Sequence, residues 1–328
     1  MTETAELKKI IEPIVEDLKV FQDEFELALK SEVRLINIIA RYLLRHKGKA
    51  IRPVLTILSA RVSGSPTLNS YKAAAMVELL HLATLMHDDV VDETNERRGF
   101  PTINKIWRNK TAIIMGDFVL SQVLTNLIHL RDFDALDLIS DTAKRLSSGE
   151  MLQIEGSFKK SMSEEIYFRM VKDKTASLIA TCCELGVITT SKDKYHKTAA
   201  RDYGEKLGMA FQIKDDLFDI LGATKDTGKD TNADVSKNII TLPIIHTMSS
   251  SLSTVERRQL RKTLANGAKR RDLNRLQEIV FEHGGFDYAK KKLQEFSDQA
   301  VSALSPFPDS PYKRSMIDLC LYNVQRTR

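Results

Sequence analysis

The chain has 328 residues, 42% hydrophobic and 28% charged, the balance of a globular protein with a core, which excludes disordered and fibrous classes. Its formal net charge of +5 is small for this length, and Lys and Arg are interspersed with Asp and Glu, so no nucleic-acid partner is indicated while an anionic small substrate is compatible. Three cysteines, two adjacent at Cys182 and Cys183, make neither a disulfide framework nor a metal cluster and fit a reducing, cytoplasmic setting.

In chain order, the opening run MTETAELKKIIEPIVEDLKV carries acids early and lacks the basic, apolar, small-residue order of a signal peptide. Apolar residues at three- and four-residue spacing predict helices over residues 10–29, 71–85, 113–130, 135–154, 165–185, 199–221 and 273–296. No proline occurs from Thr102 through Leu242, which suits several long helices in succession. The clusters SGSPTLNS, TNERRGFPT and GATKDTGKDTNAD read as short connections, and strand alternation is scarce. No linker or fixed-period repeat divides the chain, so the expectation is a single all-α domain, residues 1–328, with the more charged residues after Ser249 as an outer layer. No uninterrupted apolar run reads as a transmembrane segment, leaving peripheral contact as the form that any membrane association takes.

The stretch LLHLATLMHDDVVDETNERRGFPT crowds three aspartates and two arginines at the end of an apolar run. At about 100° per residue, Asp88, Asp89 and Asp92 share an arc of roughly 100° on one helix face. Two carboxylates about 5 Å apart repel by roughly 3 kcal/mol at an effective dielectric of 20, so a cluster facing a cavity needs cations. Oxygen ligands without nearby cysteine favour Mg²⁺ over Zn²⁺, and Mg²⁺ commonly shares its shell with phosphate oxygens. Alone, the motif fits a solvated acidic helix end equally well.

It recurs in FQIKDDLFDIL, where Asp215, Asp216 and Asp219 repeat the spacing on another apolar helix. Helices packed antiparallel would bring six carboxylates to one polar cavity, where bundle proteins hold metals. Basic residues follow both motifs, Arg97 and Arg98 after the first, Lys225 and Lys229 after the second, as a diphosphate carried between metal ions requires.

With KGKAIRP (47–53), GDF (116–118), GEMLQ (149–153), DKTASL (173–178) and GKDTNADVSKNIITLP in the same order, the sequence resembles the trans-type polyprenyl diphosphate synthases, relatives of farnesyl diphosphate synthase. The resemblance implies an all-α bundle around a deep central cavity, usually in a homodimer, that joins isopentenyl diphosphate head-to-tail to an allylic diphosphate. It implies Asp88, Asp92 and Asp215 as direct Mg²⁺ ligands, with Asp89, Asp216 and Asp219 supporting them and three ions in the closed state. Arg97, Lys174, Thr175, Gln212 and Lys229 match positions that hold the allylic diphosphate, with Gln153 beside them. Lys49, Arg52, His81 and Arg98 match the isopentenyl diphosphate pocket. Outside this motif context, His81 would read as a core histidine and Lys49 and Arg52 as a surface pair. The polar TKDTGKDTNAD loop is the expected lid that excludes water from a carbocation.

One departure concerns Ile239, where many members of the family carry lysine; Lys237 is the nearby substitute. Arg108 also stands where small residues are common. A His-Asp phosphohydrolase would use His87 and Asp88 but not a second motif, and a regulatory subunit of a two-component synthase would lack the carboxylates, all six of which are present. A terpene cyclase ranks behind the regulatory subunit, and a shorter-chain farnesyl or geranylgeranyl diphosphate synthase is the other alternative. The expected product is long, about seven to eight isoprene units by analogy with octaprenyl-type relatives. At about 1.5 Å per residue, Ala83 and Thr84 lie roughly 6 to 7.5 Å below the metals, both are small, and short-chain relatives place an aromatic ring there.

Overall fold

The computed structural model describes residues 3–46, 48–159, 162–221, 240–266 and 270–326. Helices α1 (Glu3–Ile11), α2 (Val15–Ala28), α3 (Arg34–Arg45) and α4 (Ile51–Ser63) lead into the 24-residue α5 (Leu68–Val91). Ser70 closes the start of α5, accepting from the Thr67 backbone N–H at 3.0 Å. At its other end Asp92 is the last residue near helical geometry, and Glu93 turns left-handed at φ 51°.

A two-residue hairpin follows, β1 (Glu96–Arg97) against β2 (Phe100–Pro101), the only strands among the described residues. Arg98 and Gly99 at its tip both have positive φ, 57° and 79°, the requirement of a tight two-residue turn whose twist suits antiparallel strands.

Helix α6 (Ile103–Leu130) packs along α5, and α7 (Phe133–Lys159) continues the bundle. Among the described residues α6 is the one helix long and apolar enough to cross a membrane, by length and composition only. Ala112, Met115, Gly116, Val119, Val123 and Leu127 are nevertheless buried along one face against the core, as in a core helix of a bundle. Arg108 breaks α6 at φ 69° and ψ 161°, a backbone region held almost only by glycine, which explains why small residues suit that position.

The segment expected as one helix over 165–185 is α8 (Glu164–Val171), a π-helical turn (Lys172–Ala176) and α9 (Ser177–Ile188). Then come α10 (Lys194–Leu221), α11 (Leu242–Ser249), α12 (Thr254–Asn266), α13 (Arg270–Glu282), α14 (Gly285–Ala303) and α15 (Pro311–Gln325). The helix expected over 273–296 is therefore two, divided by Gly284 in the left-handed region at φ 72°. A Cβ on Gly285 would stand 2.5 Å from the Pro243 carbonyl oxygen, so this glycine lets α14 close on α11.

Nor is the chain after Ser249 only an outer layer. Helix α14 lies along α10 and buries Phe286, Ala289, Leu293 and Ala300 at helical spacing, while α15 packs back on α4. Its charges occupy one face, and the average composition hides the other.

Two apolar clusters fill the interior. The larger joins α1–α7 to α9, α15, the first half of α10 and the end of α14; the smaller joins α8, α11–α13 and the start of α14 to the second half of α10. Helix α10 thus passes through both and carries the second aspartate motif beside the smaller one. Among the polar anchors is Asp17, 4% exposed, which receives Arg61 Nε and Nη2 at 2.9 and 2.7 Å and the Tyr71 hydroxyl at 2.7 Å, tying α2 to α4 and α5.

Candidate active site

The first aspartate motif ends α5, and its three carboxylates have different surroundings. Asp89 is 7% exposed and accepts from both Arg97 Nε and Nη2 on one oxygen, at 3.0 and 2.7 Å. Its backbone carbonyl, with that of Thr94, accepts from Asn104 Nδ2, which staples the turn after the motif to the start of α6. Asp88 is partly buried beside α7, and burial followed by the negative charge of Glu150 pushes its carboxyl up to about 6, against opposing pulls from Lys174 and Arg97. Asp92 is exposed at the helix end.

Glu150 and Gln153 lie one turn apart on α7 and receive Lys174 Nζ at 2.5 and 2.9 Å. Gly149 allows this approach, since a Cβ there would stand 2.5 Å from the Lys174 backbone nitrogen. The next residue, Thr175, donates its hydroxyl to Gln212 Oε1 at 2.8 Å, and Gln212 Nε2 donates to Asp216 Oδ1 at 2.9 Å. The other Asp216 oxygen accepts the Tyr167 hydroxyl at 2.6 Å, leaving this 2%-exposed carboxylate fully engaged. The π-helical turn therefore sends Lys174 to α7, where its charge acts on Asp88 of the first motif, and Thr175 to Gln212 beside the second. Arg145 anchors the turn, donating through Nε to Asp173 at 2.9 Å. Asp215 pairs with Arg326, and Asp219 lies one turn further along α10, partly buried.

A second cationic group surrounds a cavity of about 110 Å³ on the flank of α5, lined by Gly48, Glu78, His81, Leu82, Met86, Arg97 and Arg98 among others. Burial, then the positive charges of Arg52, Arg98 and Arg97, hold His81 well below the usual imidazole range, so it stays neutral. Burial lowers Arg52, whose Nε is shielded from solvent without a hydrogen-bond partner, and burial followed by Arg97 lowers Arg98. A Cβ on Gly48 would stand 2.1 Å from the Arg98 guanidinium, so any larger residue here would push the Arg98 side chain aside. Lys49 donates to the Tyr322 hydroxyl at 2.9 Å. The hairpin presenting both arginines is fixed to α3: Tyr42 donates to the Pro101 carbonyl at 2.6 Å, and the His46 and Phe100 rings lie 4.1 Å apart. A cluster of cations with a neutral imidazole and an unsatisfied Arg52 Nε is suited to an anion with several oxygens.

The six carboxylates do not form a ready-made cage. Among the described residues no group of three His, Cys, Asp or Glu side chains is close enough to hold a metal ion. Asp89 pairs with Arg97, Asp215 with Arg326, and Asp216 accepts from the Tyr167 hydroxyl. The donor set suits a hard divalent cation: its oxygens are carboxylate, and Asp88, raised by burial and then by Glu150, would gain from a nearby positive charge. Ala83 is 2% exposed in the larger cluster, and Thr84 donates to the His81 carbonyl at 2.8 Å. Lys225, Lys229, Lys237, Ile239 and the expected lid lie outside the described residues.

Three site residues escaped the sequence reading. Glu150 sits three before Gln153 in GEMLQ, a spacing that shares a helix face and could have exposed it. Tyr167 and Arg326 carry no local signal, because each meets α10 only through tertiary packing.

A family model described as Polyprenyl synthetase matches residues 33–280. The chain is 32% identical over 321 residues to octaprenyl diphosphate synthase of Haemophilus influenzae, covering 98% of this chain and 96% of that one. It is similar to the crystal structure of a decaprenyl diphosphate synthase from Rhodobacter capsulatus, with a TM-score of 0.93 and 30% identity over 98% of this chain and 99% of that one. A polyprenyl synthase from Caulobacter crescentus, solved with calcium and isoprenyl diphosphate, gives a TM-score of 0.91 and 28% identity over 98% of each chain.

Proposed function

This chain belongs to the polyprenyl synthetase family, and on that premise we propose how its residues divide the work of the reaction. The protein is a prenyltransferase that condenses isopentenyl diphosphate with an allylic diphosphate, repeatedly, to a long-chain trans-polyprenyl diphosphate. In this reading the whole chain is one synthase domain.

Asp88, Asp92 and Asp215 would bind Mg²⁺ directly, three ions in the closed state, with Asp89, Asp216 and Asp219 supporting through water or hydrogen bonds. When bound, Mg²⁺ acts as a Lewis acid on the oxygens of the departing diphosphate. Lys174, Arg97, Thr175, Gln153, Gln212 and Lys229 hold the allylic diphosphate. Their fixed charges and donors stabilise the anion that forms as the allylic C–O bond breaks and its electron pair leaves with the diphosphate. Lys49, Arg52 and Arg98 hold isopentenyl diphosphate beside the resulting carbocation, and neutral His81 offers a hydrogen bond without adding a further charge. The isopentenyl double bond attacks, and a proton passes to the released diphosphate as the new trans double bond forms.

The observation that carries this division is the polar chain from Glu150 through Lys174 and Thr175 to Gln212 and Asp216, linking the two motifs through adjacent residues. A homodimer is supported by exposed Ile113, Leu124, Ile128 and Phe133 along α6 and the start of α7. We place the protein in the cytoplasm, with peripheral membrane contact when the apolar product is released, and the product at about seven to eight isoprene units.

The test incubates purified protein with labelled isopentenyl diphosphate, Mg²⁺ and a set of allylic primers, then sizes the products. Long-chain incorporation that stops in chelator is expected. No incorporation with any primer would refute the assignment.

A further inference from the structure

The π-helical turn Lys172–Ala176 is closed by the Ser177 backbone N–H, which donates to the Lys172 carbonyl five residues back. The extra residue of such a turn fits at any of several successive positions along a helix. Moving it by one residue would rotate the side chain it passes by about 100°, enough to take Lys174 away from α7 or Thr175 away from α10. The place of the turn is therefore set by contacts from outside it.

Arg145 on α7 supplies two such contacts at the point of closure. Its Nη2 donates at 3.3 Å to the Lys172 carbonyl, the same oxygen that takes the Ser177 N–H, and its Nε donates at 2.9 Å to the carboxylate of the next residue, Asp173. The Arg145 and Asp173 side chains are 29% and 18% exposed, so this pair is partly shielded from the solvent that weakens surface ion pairs. The Asp173 carbonyl in turn accepts the Ser177 hydroxyl at 2.6 Å. One and two turns further along the same face of α7, Gly149 admits the Lys174 backbone and Gln153 receives Lys174 Nζ. On the α10 side Lys172 Nζ meets Glu205 at 3.0 Å, and a Cβ on Gly208 would stand 2.6 Å from the Ala176 Cα. The turn is wedged between two helices, and Arg145 grips both its closing carbonyl and the residue after it.

We propose that Arg145 is a positioning residue for the allylic substrate: by holding the Lys172 carbonyl and Asp173 together it fixes the π turn in place, so that Lys174 and Thr175 face the allylic diphosphate from α7 and α10. The inference rests on the reading of Lys174 and Thr175 as contacts of that diphosphate. Arginine suits the task because Nε and Nη2 lie along one edge of a rigid planar fork and hold a carboxylate and a carbonyl at a fixed spacing, which a single ammonium group does not do. A slackened turn would leave both contact residues present but misplaced, and a misplacement of about 1 Å can cost on the order of 100-fold in rate. Lys172–Ala176 take no part in lining the cavity beside α5, so the isopentenyl side should be spared.

The test compares full-length unaltered protein with Arg145→Ala, Asp173→Asn and Lys174→Ala. Steady-state kinetics vary each substrate in turn, well below the melting range, and amide hydrogen exchange is followed over residues 170–180 of the substrate-free protein. Arg145→Ala should raise the KM for the allylic primer about tenfold while that for isopentenyl diphosphate changes less than about threefold. Exchange should quicken in the same variant at the Ser177 amide that closes the turn. Asp173→Asn, which removes one side of the clamp, should raise the primer KM about threefold or more and decides the matter if Arg145→Ala does not fold. A primer KM within about twofold of the unaltered protein in both variants, whatever happens to the exchange or the Tm, would reduce the clamp to packing and overturn the proposal. An equal rise in both KM values would overturn it too, as a general loosening of the site. If Lys174→Ala leaves the primer KM unchanged, the reading of Lys174 itself is removed, and this inference with it.

Discussion

Lys174 and Thr175, neighbours in a π-helical turn, serve opposite walls of the site: Lys174 reaches Glu150 and Gln153 on α7, and Thr175 reaches Gln212 on α10. An α-helical turn would rotate successive side chains by about 100°, and the wider π turn carries one extra residue past the same point. The allylic diphosphate in our reading would therefore be gripped from both sides by consecutive residues of one rigid element.

Asp88 gives a prediction with a pH sign. Its folded value of about 6 lies above that of an unfolded carboxylate, so the folded metal-free protein binds more protons over roughly pH 4 to 6. Stability of the metal-free protein should therefore fall as pH rises through that window, by on the order of 2–3 kcal/mol less solvent screening. Asp88→Asn should flatten this slope in denaturant titrations and cut turnover by at least about 100-fold. An unchanged slope, or undiminished turnover, would contradict the assignment.

Arg52→Ala should raise the KM for isopentenyl diphosphate by about tenfold or more while the KM for the allylic primer changes by less than about threefold. The two diphosphate groups are read on separate cation clusters, and Arg52 belongs to the one around His81 and Arg98. Steady-state kinetics with each substrate varied in turn checks it; equal effects on both would merge the two pockets.

Ala83→Phe should shorten the product to farnesyl or geranylgeranyl diphosphate without abolishing the first condensation, because a ring would stand in the path of the growing chain about a turn below the metals. Chromatographic sizing decides. An unchanged distribution would place the tunnel floor elsewhere, Ala83 then serving only the close packing of the core in which it is buried.

Asp17→Ala should destabilise the fold by about 2–4 kcal/mol, since it strands the Arg61 guanidinium and the Tyr71 hydroxyl together. Turnover measured well below the melting range should be nearly normal. A Tm within a degree or so of the unaltered protein would show that the three groups contribute no net stability.

Arg108→Gly should stabilise the protein by about 1 kcal/mol, because φ 69° and ψ 161° strain any residue with a Cβ. Chemical denaturation would read the gain, and a loss would mean that the arginine side chain makes up for the strain.

Much of this architecture was readable beforehand because helical periodicity and the repeated aspartate spacing are local properties. The ends of α5 and α10 needed only a 3.6-residue turn, and Glu150 was within reach of the same reasoning. The π turn was not: residues 165–185 keep helical periodicity on both sides of it, and a single extra residue hardly disturbs that pattern. The split at Gly284 was announced by a glycine pair but outweighed by the apolar residues flanking it. Asp17, Tyr167 and Arg326 were illegible in principle, since their partners lie 44, 49 and 111 residues away in sequence and no spacing rule reaches so far. That Asp89, Asp215 and Asp216 take Arg97, Arg326 and Tyr167 as partners is likewise beyond what the aspartate spacing shows.

The turn of the small hairpin carries a consequence for reaction geometry. Arg97 reaches back to Asp89 of the first motif, while Arg98, at the tip, lies against Gly48 of the other pocket. Arg98 turns left-handed directly after β1, so the two arginines leave the chain from neighbouring Cα atoms about 3.8 Å apart and both line the cavity beside α5. In our reading each serves a different diphosphate, so the two substrates would be referenced to one short turn. Lengthening that turn by one residue would shift one arginine relative to the other, and with it one substrate relative to the other.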